Sequence, residues 1–154
     1  MSAPGLGRRR LLGGLAFVGA AAGAGAARAS DVGPIAQPAD RTPAGFIARA
    51  FEMRRLAEAA GDQPYGAAVV KDGRVVGQAP SRVVTAGDPT AHAETEAIRD
   101  AARRLGTRDL GGCILYSSSR PCAMCEAAAY WAGIGGMIHG ADRSDAGPPR
   151  LGRC

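Results

Sequence analysis

Two short segments constrain this chain more than any other feature: Thr90-Ala91-His92-Ala93-Glu94 and Pro121-Cys122-Ala123-Met124-Cys125. Each stands where a helix starts. Cys122 and Cys125 are three apart, so both thiols face the same side of a first helical turn. The free backbone amides of that turn favour thiolate, the form that binds zinc. His92 supplies a third ligand. One imidazole and two thiolates leave a tetrahedral zinc, one per chain, with an open fourth position, as catalytic sites require. His92 and Glu94, at i and i+2, diverge inside a helix and converge only over its free end. There a carboxylate stands beside the metal without ligating it and can serve as base and then as acid.

The rest of the pattern predicts alternating elements. Thr42-Pro43 offers an N-cap and a first-turn proline. Phe46, Ile47, Ala50, Phe51, Arg54 and Ala57 follow at helical spacing, with Gly61 as the stop. Residues 65–70 read as a strand, Lys71-Asp72-Gly73-Arg74 as a hairpin turn and residues 75–78 as the returning strand. A loop at 80–89 leads to a helix from about 90 to 105, ended by Gly106. Residues 113–117 form a third strand, Pro121 opens a helix through residue 131, and 137–140 make a fourth strand. The order α-β-β-α-β-α-β predicts a three-layer α/β/α sandwich. Arg99, Arg103 and Arg104 fall on a solvated helix face, Tyr130 and Trp131 are expected to pack, Cys113 reads as a small buried hydrophobe and His139 as a structural histidine.

With 154 residues the chain has room for one domain. Its formal charge of +5 is a property of the first segment. Residues 1–29 hold Arg8, Arg9, Arg10 and Arg28 and no acid; the remainder has 15 basic and 14 acidic residues. So neutral a body argues against a surface built to grip nucleic-acid phosphates. Arg8-Arg9-Arg10-Leu11-Leu12, a glycine-diluted apolar stretch and Ala27-Arg28-Ala29 predict a twin-arginine signal peptide over 1–29, cleaved after Ala29. The partner is then the Tat export machinery and the destination the periplasm. The stretch is too short and too weakly apolar to span a membrane. Residues 30–41 read as a linker, 42–141 as the zinc-dependent domain and 142–154 as a polar tail with almost nothing to bury.

H-A-E followed by P-C-x-x-C is the signature of zinc-dependent nucleobase deaminases. With PYGAAVVKDGRVVG, DPTAHAETEAIRDA and CILYSSSRPCAMCEAAAYWA around it, the chain resembles the cytidine and deoxycytidylate deaminase superfamily. Within it, the resemblance is to the purine branch of guanine deaminase and tRNA adenosine deaminase. It implies the cytidine deaminase-like α/β fold with a mixed sheet, here shortened at its C-terminal end. It implies hydrolytic deamination, in which zinc-bound hydroxide attacks the amine-bearing ring carbon, Glu94 moves the protons and ammonia leaves. His92, Cys122 and Cys125 become the metal ligands; Ser81, Gly66, Ala67, Ala93 and Pro121 become substrate contacts.

Three departures stand out. Ser81 replaces the asparagine of purine-type members, Arg120 replaces a usual acid, and the chain stops soon after Gly140. The missing C-terminal cover leads us to expect a homodimer. The neutral body favours a free nucleobase or nucleoside, guanine-like, over tRNA. The other readings are a tRNA adenosine deaminase-like enzyme, a decayed zinc-binding domain and an exported CxxC thiol oxidoreductase, the last of which gives His92 and Glu94 no role.

Overall fold

A computed structural model describes residues 34–150. The expected signal peptide with Arg8, Arg9 and the cleavage point after Ala29 lies outside the described residues, as does Cys154. The elements run α1 (Pro43–Ala59), β1 (Gly66–Lys71), β2 (Arg74–Pro80), α2 (Ala93–Leu105), β3 (Ile114–Ser117), α3 (Ala123–Trp131), β4 (Gly136–His139) and β5 (Ser144–Gly147). The sheet order is β2-β1-β3-β4-β5. β1 is antiparallel to β2 and to β3, β3 is parallel to β4, and β4 is antiparallel to β5. This is the expected mixed sheet between helical layers.

Local chemistry explains the elements. The Thr42 hydroxyl caps α1 by accepting the Gly45 amide, with Pro43 in the first turn. Asp72 and Gly73 both take positive φ, 49° and 69°, the backbone a two-residue hairpin turn demands. β1 is buried on both faces, and its side chains alternate between two cores. Ala68 and Val70 join Phe46, Ile47, Val75 and Tyr116 under α1. Ala67 and Val69 join Ala93, Ala97, Ala101, Leu115, Ala129 and Met137 under α2 and α3. Gly77 lets α2 approach β2 closely: a Cβ there would lie 2.5 Å from the Ala101 nitrogen.

Two features correct the sequence reading. Within the segment read as a polar tail, Ser144–Gly147 pairs antiparallel to β4 as a fifth strand that the expected order of elements lacks. Backbone hydrogen bonding makes that strand, not apolar alternation, and its exposed Ser144 and Asp145 give no core signal. The described part of the expected linker is also anchored. Ile35 packs on the α1 core, and the Gln37 side-chain amide both donates to the Val75 carbonyl and accepts from its amide. Gln37 thus serves the open edge of β2, as Asp100 does by accepting the Gln78 amide.

Candidate active site

The site forms where α2 and α3 begin. Both predicted helices start later than the sequence suggests. His92 and Cys122 are the N-caps of α2 and α3, each with extended backbone. That extension frees His92 from the helix and lets its ring turn toward the cysteines, as the i, i+2 argument requires. His92 Nδ1 lies 3.6 Å from Cys122 Sγ and 3.7 Å from Cys125 Sγ, and the two sulfurs are 3.7 Å apart. A tetrahedral zinc with Zn–S of about 2.3 Å and Zn–N of about 2.0–2.1 Å sets S···S near ~3.8 Å and S···N near ~3.6 Å. The triangle therefore has the size and donor set of such a site, and these three residues can hold a metal ion.

Glu94 is 5% exposed and stands against the same sulfur. Its Oε1 accepts the Ser117 hydroxyl at 2.8 Å, and its Oε2 accepts the Cys125 thiol at 3.5 Å. Burial and then the Glu94 charge push the Cys125 thiol well above its ordinary range, against a lowering hydrogen bond from Thr95. In this arrangement the Cys125 thiol donates its proton to Glu94. Cation binding must displace that proton, which makes metal uptake pH-dependent.

A cleft of about 390 Å³ opens onto the group, lined by Gln63, Tyr65, His92, Glu94, Ser119, Arg120 and Cys122. The five residues expected to touch substrate are buried and are not among those lining this cleft. Ser81 is 2% exposed and donates its hydroxyl to Asp62 at 2.9 Å. Gly66 is tied to Ser118 through its amide and carbonyl, Ala67 faces the α2 core, and Ala93 and Pro121 are buried. Asp62 also gathers the Val84 and Thr85 amides and the Thr85 hydroxyl. Burial alone would raise its carboxyl, but hydrogen bonds from Thr85, Gln63 and Ser81 outweigh that and hold it at about 2. Ser81 thus helps fix the loop after β2.

Sequence reasoning missed Ser117, Gln63 and Tyr65. Gln63 and Tyr65 lie just before β1, where the Gln63-Pro64-Tyr65 break was the available signal; Ser117 gave none. Arg99, Arg103 and Arg104 are exposed as expected, yet they pair with the buried acids Glu96 and Asp100. Trp131, expected to pack, is 75% exposed and meets Tyr130 edge-on at 5.4 Å. Cys113 is buried as expected.

Comparison with known proteins agrees with the geometry. The family model "Cytidine and deoxycytidylate deaminase zinc-binding region" matches residues 41–141. The guanine deaminase of Bacillus subtilis is 47% identical over 83 residues, 54% of this chain and 53% of that protein. The tRNA-specific adenosine deaminase of Aquifex aeolicus is 43% identical over 81 residues, 53% of this chain and 54% of that protein. The chain thus spans about half the length of these relatives. The X-ray structure of the Bacillus subtilis guanine deaminase superposes with a TM-score of 0.60 at 43% identity, covering 62% of each chain. With two helix starts, a His/Cys/Cys triangle and this match over most of the described residues, the chain belongs to the cytidine and deoxycytidylate deaminase family.

Proposed function

We propose that the domain is a zinc-dependent hydrolytic deaminase of a free nucleobase or nucleoside, with a guanine-like purine as its favoured substrate. The supporting observation is the Nδ1/Sγ/Sγ triangle of zinc dimensions with the Glu94 carboxylate against one of its sulfurs. His92, Cys122 and Cys125 hold the metal. Zinc, when bound, supplies Lewis acidity and makes water a competent nucleophile near neutral pH. Glu94 carries one proton of the attacking water to the ring nitrogen and then the second, from the new hydroxyl on carbon, to the departing amine. Water adds at the amine-bearing carbon, the C–N bond breaks, and a carbonyl and ammonia result. The cleft's volume falls at the small end of small-ligand sites, which suits one base or nucleoside.

The guanine-like substrate rests on the guanine deaminase relative and on a body of 15 basic and 14 acidic residues, too neutral to suit a polyanion. Arg120 on the cleft wall, together with the adenosine deaminase relative, supports the second reading, a tRNA substrate. A panel of guanine, adenosine, cytosine, cytidine and a tRNA anticodon stem-loop, read by ammonia release from zinc-loaded protein, separates these. We expect guanine to react fastest and Glu94→Ala to abolish the release. No ammonia from any of them with zinc bound would remove the activity and leave a zinc-binding domain.

We further propose Tat export of the folded, metal-loaded domain to the periplasm, and a homodimer that covers the cleft. Replacing Arg8 and Arg9 together by lysine should block export, and unaffected export would remove the Tat claim. Light scattering of the mature chain tests the dimer; a fully active monomer would contradict it.

A further inference from the structure

We propose that Ser117 is a positioning residue for the proposed reaction: its hydroxyl fixes Glu94 by one carboxylate oxygen and leaves the other turned to the metal-ligand sulfur. The inference rests on the reading of Glu94 as proton carrier. Along β3 the side chains alternate, Leu115 entering the α2 core and Tyr116 the α1 core, so Ser117 returns to the α2 side. There it reaches Glu94 across 23 residues of sequence, with the hydroxyl 2.8 Å from Oε1. Ser117 is 1% exposed, so bulk water has no access to take its place.

Ser117 is itself held. Its oxygen accepts the Ser119 amide at 3.4 Å, and its one proton is shared between Glu94 Oε1 at 2.8 Å and the Ser119 carbonyl at 2.5 Å. Ser119 begins the turn into Arg120-Pro121-Cys122, so this one side chain links the carboxylate on α2 to the loop that delivers the cysteines. The other two serines of the run serve elsewhere: Ser118 holds the Gly66 amide, and Ser119 lines the cleft. The opposite oxygen, Oε2, is met by the Cys125 thiol. Once Cys125 ligates a cation as thiolate it has no proton to donate. Ser117 then remains as the side-chain hydrogen bond on Glu94 among the described residues. A carboxylate released from it would swing about its terminal torsion, which is broad and shallow. A proton carrier 1 Å out of place loses much of its effect.

The test compares Ser117→Ala with Ser117→Thr, which keeps the hydroxyl, in zinc-loaded full-length protein turning over guanine. We expect kcat to fall ~10–100-fold in the alanine variant, with KM and zinc content unchanged, and threonine to restore most of it. A second readout needs no turnover: the side-chain carboxyl ¹³C resonance of Glu94, assigned by its loss in Glu94→Gln. It should move in Ser117→Ala and return in Ser117→Thr. A resonance that moves in protein inactive toward every substrate would keep the positioning and remove the deaminase reading. An unmoved resonance, or a loss confined to KM or to zinc content, would overturn the positioning. Should the alanine variant not fold, Ser117→Cys retains the volume with a weak donor, and the same two readings decide.

Discussion

The two faces of the sheet are packed differently. Under α1 the contacts come from large side chains, with Phe46 against Tyr116 at 5.2 Å between ring centres and Met53 fully buried. Under α2 and α3 the helices themselves contribute mainly Ala93, Ala97, Ala101 and Ala129, set against Leu115 and Met137 of the sheet, and Gly77 opens a close approach for α2 as Gly66 does for α1. Small residues bring the starts of α2 and α3 near enough for His92, Cys122 and Cys125 to meet. The same face admits buried acids, which the α1 face does not use. Glu96 and Asp100 are matched by Arg99, Arg103 and Arg104, a structural arrangement. Glu94 is met by a hydroxyl and a thiol instead of an arginine. One face is packed around large apolar side chains, and the other holds Glu94 and the His/Cys/Cys group that could bind a metal.

The sharpest way to break that division is Glu94→Gln. Ammonia release should fall ~10²–10⁴-fold, the range for a lost general acid–base, while circular dichroism and zinc content stay as they were. Retention of most of the turnover would put the proton carrier elsewhere. Met53→Ala addresses the opposite face. Urea unfolding should show a loss of about 2–5 kcal/mol, as for other buried methionine truncations, with zinc stoichiometry unchanged in the folded protein. Loss of metal there would mean that the two faces are not separable.

Asp62 sharpens the comparison, since it secures the loop after β2 through hydrogen bonds and belongs to neither helix face. Its carboxyl is held at about 2 against an ordinary 3.8. The stabilisation is therefore present above pH ~4 and is lost as pH falls through about 2. At neutral pH it is on the order of 2 kcal/mol. Asp62→Asn should lower stability at pH 7 by that order and flatten the acid limb of the unfolding curve; an unchanged acid limb would assign that limb to other groups. The smallest effect is expected from Arg120→Gln. If the substrate is an uncharged base, kcat/KM should change by less than about tenfold, the size of 1.4 kcal/mol. A larger loss would point to an anionic substrate.

The alternation of elements was legible because the turn at Asp72-Gly73 and the stops at Gly61 and Gly106 take the backbone conformations their sequence suggests. The grouping of His92, Cys122 and Cys125 was legible because their chemistry is rare and their spacing short. The helix starts were read early, since Thr90 and Pro121 carry start signals while the extended caps fall on His92 and Cys122. β5 escaped because an edge strand built on backbone pairing needs no apolar side chains. Ser117, Gln63 and Tyr65 escaped because their roles depend on partners brought together by the fold. Ser81 was given to substrate by its position in the resemblance; the contact of its buried hydroxyl with Asp62, 19 residues away, has no local sequence signal.

The account stands most directly on X-ray absorption at the zinc edge of purified, metal-loaded protein. It predicts one zinc per chain with two sulfur neighbours at about 2.3 Å and nitrogen or oxygen neighbours at about 2.0–2.1 Å. A four-sulfur shell, or a folded chain that takes up no zinc, would contradict it.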